Sequence, residues 1–155
     1  MTTVETTLGA KLRERREIAE GTMAFHFEKP SGFTFKAGQA IDLVLPGDPG
    51  ADPQSLRHAF SIVAAPFEGE LVIATRMRDS AYKRALNSLP VGAGVGVEGP
   101  FGSLTLHKDR ARGAVFIAGG IGITPFRSIL RQAAKDDLPQ RIALLYSKSE
   151  DFYGY

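Results

Sequence analysis

The rhythm of apolar positions changes once along the chain. From about residue 22 to residue 106 apolar and polar residues alternate in short runs. Met23, Phe25 and Phe27 share one side of Thr22–Phe27, and Ile41, Leu43 and Leu45 alternate in the same way. His58, Phe60 and Ile62 oppose Ala59, Ser61 and Val63, and Leu71, Ile73, Thr75 and Met77 repeat the pattern. A period of two is the signature of half-buried strands. Val95–Glu98 and Ser103–Leu106 flank the turn Gly99-Pro100-Phe101-Gly102, and Pro46-Gly47-Asp48-Pro49-Gly50 ends another strand. Roughly six short strands so punctuated suggest a small six-stranded antiparallel β-barrel or a sandwich. One short helix interrupts them: Ser80 is placed to cap it, Tyr82, Ala85, Leu86 and Leu89 follow helical spacing, and Pro90 stops it.

Beyond Gly113 the pattern is of another kind. Ala114–Ala118 is continuously apolar, as in a strand buried on both faces. Gly119-Gly120-Ile121-Gly122-Ile123-Thr124-Pro125 follows, with Thr124 as the expected N-cap and Pro125 as the first helical residue. Phe126, Ile129, Leu130, Ala133 and Ala134 form a helical stripe, and Arg141–Ser147 reads as a second buried strand. A βαβ unit with two parallel strands is expected. The division is therefore a barrel over residues 1–110 and a truncated α/β (βαβ) unit with an aromatic tail over residues 111–155.

Composition narrows the chemistry. The chain has 155 residues, 43% of them hydrophobic, enough for a core. Nineteen basic against 17 acidic residues leave a net charge of +2, too balanced for a chain devoted to nucleic acid. Without cysteine there are no disulfides, thiolate nucleophiles or thiolate metal sites, and three scattered histidines do not suggest a metal centre. No apolar run approaches ~18 residues and the N-terminus lacks an apolar signal core. A cytoplasmic protein with no membrane partner is the expectation.

Three segments carry candidate chemistry, each with a plainer alternative. Gly119–Pro125 brings a bare backbone to a helix N-terminus, suited to phosphate; tight strand–helix packing explains it as well. Leu56–Ile62 sets a cation, an aromatic ring and a hydroxyl on one strand, a combination able to hold a flat heterocycle; it also reads as a core strand with Arg57 in solvent. Arg76-Met77-Arg78-Asp79-Ser80-Ala81-Tyr82 sets two arginines before a helix capped by Ser80 and can hold an anion, or it is a solvated charge cluster.

Taken in order, FKAGQAIDL, RHAFSIVAAP, LVIATRMRDS, VEGPFGSLTL and AVFIAGGIGITPFRSIL resemble the ferredoxin–NADP⁺ reductase superfamily, over about Leu8 to Ser147. The resemblance implies a flavin-binding barrel and a nicotinamide-nucleotide domain. It implies hydride transfer between NAD(P)H and flavin N5, with electrons passed on to a redox acceptor protein. The alternative is a flavin-binding module with little or no turnover. FAD is favoured over FMN. The family's strand motif is Arg-x-Tyr/Phe-Ser/Thr; Phe60 and Ser61 match it, but His58 stands at the arginine and Arg57 lies one residue earlier, pointing the other way. The implied flavin contacts are Arg57, His58, Ala59, Phe60, Ser61, Arg76, Arg78 and Ser80. Gly119, Gly120, Gly122 and Thr124 match the nucleotide turn, with Ser61 and Thr124 nearest the reacting groups. Lys148 is the sole candidate for a 2′-phosphate contact, so NAD and NADP stay open. The end of the chain resembles the family's C-terminal aromatic tail, which implies an internal deletion and places Phe152 or Tyr155 over the flavin. A homodimer is expected, because two strands leave edges and an apolar face bare.

Overall fold

The computed structural model describes residues 7–148; Phe152, Tyr155 and the tail lie outside them. Six strands make one antiparallel sheet: β1 (Leu8–Ala19), β2 (Thr22–Glu28), β3 (Ala40–Val44), β4 (Arg57–Ser61), β5 (Glu70–Arg76) and β6 (Gly94–Phe101), in the order β4-β3-β6-β1-β2-β5. Helix α1 (Ala81–Ser88) joins β5 to β6. Phe25, Phe27, Ile41, Leu43, Leu71 and Ile73 are fully buried on the inner face, as the alternation predicts, whereas β5 is buried on both sides from Leu71 to Thr75. α1 adds Leu86 and Tyr82 to this core, and the Tyr82 hydroxyl donates to Leu43 O at 2.8 Å.

The sheet departs from expectation in three places. A closed barrel is not found among the described residues: β4 and β5 end the sheet unpaired, although just beyond β4 Val63 N–H donates to Val72 O at 2.8 Å. Ser103–Leu106 is not a strand. Gly102 turns the chain with φ +100° and Thr105 N–H closes back onto Ser103 O, which leaves no extended run to pair. The sixth strand is instead β1, whose charged run LRERRE hides it. Register shifts at Leu12/Glu14 and Glu17/Ala19 break its period of two.

The second unit comprises β7 (Ala114–Gly119), a single 3₁₀ turn (Gly120–Ile123), α2 (Thr124–Lys135) and β8 (Ile142–Ser147). β7 and β8 are parallel, as expected. Among the described residues they are covered on one face only. Phe116 stacks on Phe126 of α2 with ring centroids 4.6 Å apart, whereas Val115, Ile117 and Leu145 are 64%, 73% and 60% exposed on the other face. Burial on both faces is thus corrected: α2 is the single layer packed on these strands among the described residues.

α2 is fastened to the six-stranded sheet through the segment that follows β4. Ser128 Oγ donates to Ala64 O at 2.7 Å in a buried contact, Arg127 donates to Val63 O at 3.0 Å, and Phe67 N–H donates to Gln132 Oε1 at 3.2 Å. Glu68 bridges Arg127 (3.1 Å) and Arg131 (2.9 Å). Gly38 permits the close approach: at φ +98°, a Cβ there would lie 1.9 Å from Leu104 O and 2.9 Å from Ile129.

Candidate functional site

β4 carries two faces with different roles. Its register against β3 pairs His58 with Leu43 and Phe60 with Ile41, so His58 and Phe60 share the core-side face. Phe60 is buried, and the exposed His58 ring stacks on it with centroids 4.7 Å apart and planes 21° apart. Tyr82 closes the group, 5.3 Å from the His58 ring. Burial, and then the charge of Asp42, push its phenol well above the ordinary value, so it stays protonated. Arg57, Ala59 and Ser61 occupy the opposite face. Arg57 is held there by the nearly buried Glu98 at 2.7 Å and lies 3.7 Å from Asp42. Thr7 Oγ1 donates to the other Glu98 oxygen at 2.7 Å.

Tyr82 also connects this ring group to a cationic helix start. Ser80 has extended backbone (φ −150°, ψ 151°), and its Oγ accepts from Lys83 N–H at 3.2 Å. The expected N-cap is therefore present. Lys83 Nζ reaches back to Arg76 O at 2.6 Å. Burial, and after it the positive charge of Arg78, lower the Lys83 pKa. Arg76 and Arg78 border a cavity with Glu20 and Gly21, Arg78 acts on Lys83 of the first turn of α1, and Tyr82 of that same turn meets the His58 ring.

The glycine turn lies at the end of β7. Gly120 has φ +50°, and a Cβ added at Gly119, Gly120 or Gly122 would meet nothing within 4 Å. Packing does not require glycine at these three positions, so the backbone is bare toward open space. Thr124 is not the N-cap. Its φ −51°, ψ −52° are helical and no side-chain cap bond forms, because the 3₁₀ turn before it already winds the chain and makes Ile123 the boundary residue. Thr124 is buried, and Pro125 stands one residue inside the helix. Ile121 of the turn packs against the core of the six-stranded sheet. The Tyr146 hydroxyl donates to Gly120 O at 3.0 Å, and burial raises its pKa.

The structure therefore gathers His58, Phe60, Arg76, Arg78 and Ser80 around α1, with Arg57, Ala59 and Ser61 across β4 from them. Gly119, Gly120, Gly122 and Thr124 form a second group that α2 fastens to the residues following Ser61. Sequence reasoning missed Lys83 as a member of the first group and placed Tyr82 in the candidate segment only as a helix position, not as a ring contact. The signal for Lys83 was position, three residues past a capping serine, in the first turn of a helix that begins beside two arginines.

Residues 116–152 match the family model described as an oxidoreductase NAD-binding domain. Ferredoxin–NADP reductase B of Sorangium cellulosum is 31% identical over 88% of this chain and 56% of its own length. Methane monooxygenase component C of Methylosinus trichosporium is 33% identical over 77% of this chain and 35% of its own length. Among solved structures, the Amycolatopsis cytochrome P450 reductase GcoB superposes with a TM-score of 0.79 at 25% identity, over 97% of this chain and 45% of that one. Its relatives in sequence and in fold are oxidoreductases of the ferredoxin–NADP⁺ reductase type. It spans about a third to a half of the length of these relatives. Within this fold, the first group of residues sits on the six-stranded sheet and the second in the part matched by the NAD-binding model.

Proposed function

We propose that the chain supplies the flavin-binding part and the first strand–turn–helix of the nucleotide-binding part of an NAD(P)H-dependent reductase. In this reading hydride passes between nicotinamide and flavin N5, and electrons leave for a redox acceptor protein. Three relatives named as a ferredoxin–NADP reductase, a monooxygenase component and a cytochrome P450 reductase support the class. The observation that carries the reading is the juxtaposition at α1. A capped helix start with Arg76, Arg78 and Lys83 adjoins stacked rings on β4. A dinucleotide flavin asks for both features together, an anion site for its pyrophosphate and aromatic surface for its ring. For that reason FAD fits better than FMN.

The flavin, when bound, supplies the hydride acceptor and the one-electron chemistry. The residues of this chain bind and orient. Ser80, Arg78, Arg76 and the α1 amides would hold the pyrophosphate, with His58 beside them. Phe60 would pack on the ring system, and Ser61 and Ala59 would line its edge. Gly119, Gly120 and Gly122 would let the pyrophosphate of NAD(P)H approach the bare backbone, with Thr124 at the start of α2. A barrel closed by the β4 and β5 ends, a cytoplasmic location and association into a homodimer complete the reading.

The test is reconstitution with FAD and with riboflavin. Visible flavin bands should travel with the protein on gel filtration. Arg78→Ala should weaken FAD about tenfold, the scale of one charged hydrogen bond, and riboflavin far less. Equal losses for the two ligands would remove the phosphate role, and no retained flavin would end the proposal.

A further inference from the structure

Resting on the flavin reading above, we propose that His58 is a proton-gated phosphate contact, which engages the cofactor's pyrophosphate only when its ring is protonated. His58 Nδ1 lies 2.9 Å from Ala59 O. A carbonyl oxygen only accepts, so Nδ1 carries a hydrogen whatever the charge of the ring. A neutral His58 must then present the lone pair of Nε2 outward. A lone pair cannot donate to a phosphate oxygen and is repelled by it. One added proton converts the same atom into a charged donor, among the strongest hydrogen-bonding partners an anion can meet.

Position makes this consequential. The His58 ring is exposed, is held in orientation by stacking on Phe60, and touches Tyr82 of the first turn of α1. It therefore borders the start of α1, where the anion site lies. The charged and titratable groups around it come from each neighbouring element. On β4 itself Arg57 lies on the opposite face, held by Glu98 and Asp42, so it does not supply the missing cation. From β3, Asp42 belongs to that same pair. From α1 and the segment before it come Arg78 and Lys83, both cationic, and Asp79, which is paired with Arg84. Tyr82 stays neutral, and Arg76 comes from the end of β5. Of the carboxylates among these, Asp42 lies 3.7 Å from Arg57 and Asp79 pairs with Arg84. The anion and the proton should consequently bind together. By linkage each favours the other, and FAD affinity falls as pH rises through the range in which histidine loses its charge.

FAD suits the test because both phosphates of its pyrophosphate are diesterified and keep a fixed charge, so the ligand itself does not titrate there. FAD and riboflavin are titrated into the protein by fluorescence quenching at about pH 5.5 and about pH 8, with wild type, His58→Arg and His58→Gln. FAD should bind wild type about tenfold more weakly at the higher pH, and riboflavin equally at both. His58→Arg should bind FAD tightly at both pH values, and His58→Gln weakly at both. Calorimetry of wild type in buffers of different ionisation enthalpy should record proton uptake with FAD and none with riboflavin, a readout that needs no variant. A flat FAD profile in wild type, an unchanged slope in His58→Gln, or the same slope for riboflavin overturns the gate while leaving the flavin site in place. Binding of neither flavin at any pH overturns the flavin reading itself, and the gate with it.

Discussion

At the residue scale, two neighbours on one strand divide the charge work. Alternation sends Arg57 and His58 to opposite faces of β4, and each meets a different environment. Arg57 pairs with Glu98, which is only 7% exposed. A carboxylate so placed depends on its cation, so Arg57→Ala leaves a nearly buried charge unpaired. The expected loss is roughly 3 kcal/mol of unfolding free energy, read by urea denaturation. The double variant Arg57→Met with Glu98→Leu should recover most of it, because two apolar groups leave no charge behind. A single variant as stable as wild type would mean that the pair is solvated and carries no stability. This assignment of roles was half legible in the sequence. Strand periodicity separates Arg57 from His58, but the partners of Arg57 come from β3 and β6, Asp42 and Glu98, and no local pattern announces them.

At the element scale, legibility followed regularity. Strands β2 to β5 and helix α1 could be read because their apolar residues keep a strict period and their ends carry Ser80, Pro90 or a Gly/Pro cluster. β1 could not, because two register shifts scramble its pattern, and Thr124 was misplaced because a 3₁₀ turn precedes α2. The fastening of α2 was invisible for another reason: Glu68, Arg127 and Arg131 meet only in the folded chain. Burial alone would raise the Glu68 pKa, but the Ala65 N–H at 2.6 Å and the guanidinium groups of Arg127 and Arg131 outweigh it and hold the carboxyl below its ordinary 4.5. A group whose native pKa is depressed stabilises fully above the unfolded value, and that contribution fades as pH falls through the native one. Glu68→Gln should therefore cost roughly 1–2 kcal/mol at neutral pH, the lower figure reflecting how exposed Arg131 is. The gap between variant and wild type should narrow below about pH 4. Thermal melts at several pH values check this, and a gap that widens in acid would show that Glu68 acts through packing instead.

At the scale of the whole molecule, the bare face of the β7–β8 pair is the feature that bears on how the chain exists in solution. Register sets Val115 opposite Ala143 and Ile117 opposite Leu145, so these four side chains lie together on the face away from α2. A sheet face of this composition is stable once another layer covers it. The same face of a second copy, related by a two-fold axis, would set each apolar row against its mate and cover it. Burying large side chains that are 60–73% exposed in the single chain recovers about 25 cal/mol for every Å² of apolar surface removed from water. We expect light scattering to give the mass of a dimer at micromolar concentration. Ile117→Lys should shift it to the monomer by setting like charges across the two-fold axis. Because Ile117 points away from α2, that variant should keep the melting behaviour of the six-stranded sheet and its affinity for FAD, which separates lost association from lost folding. A wild-type chain that stays monomeric over a hundredfold range of concentration would mean that two copies do not cover this face.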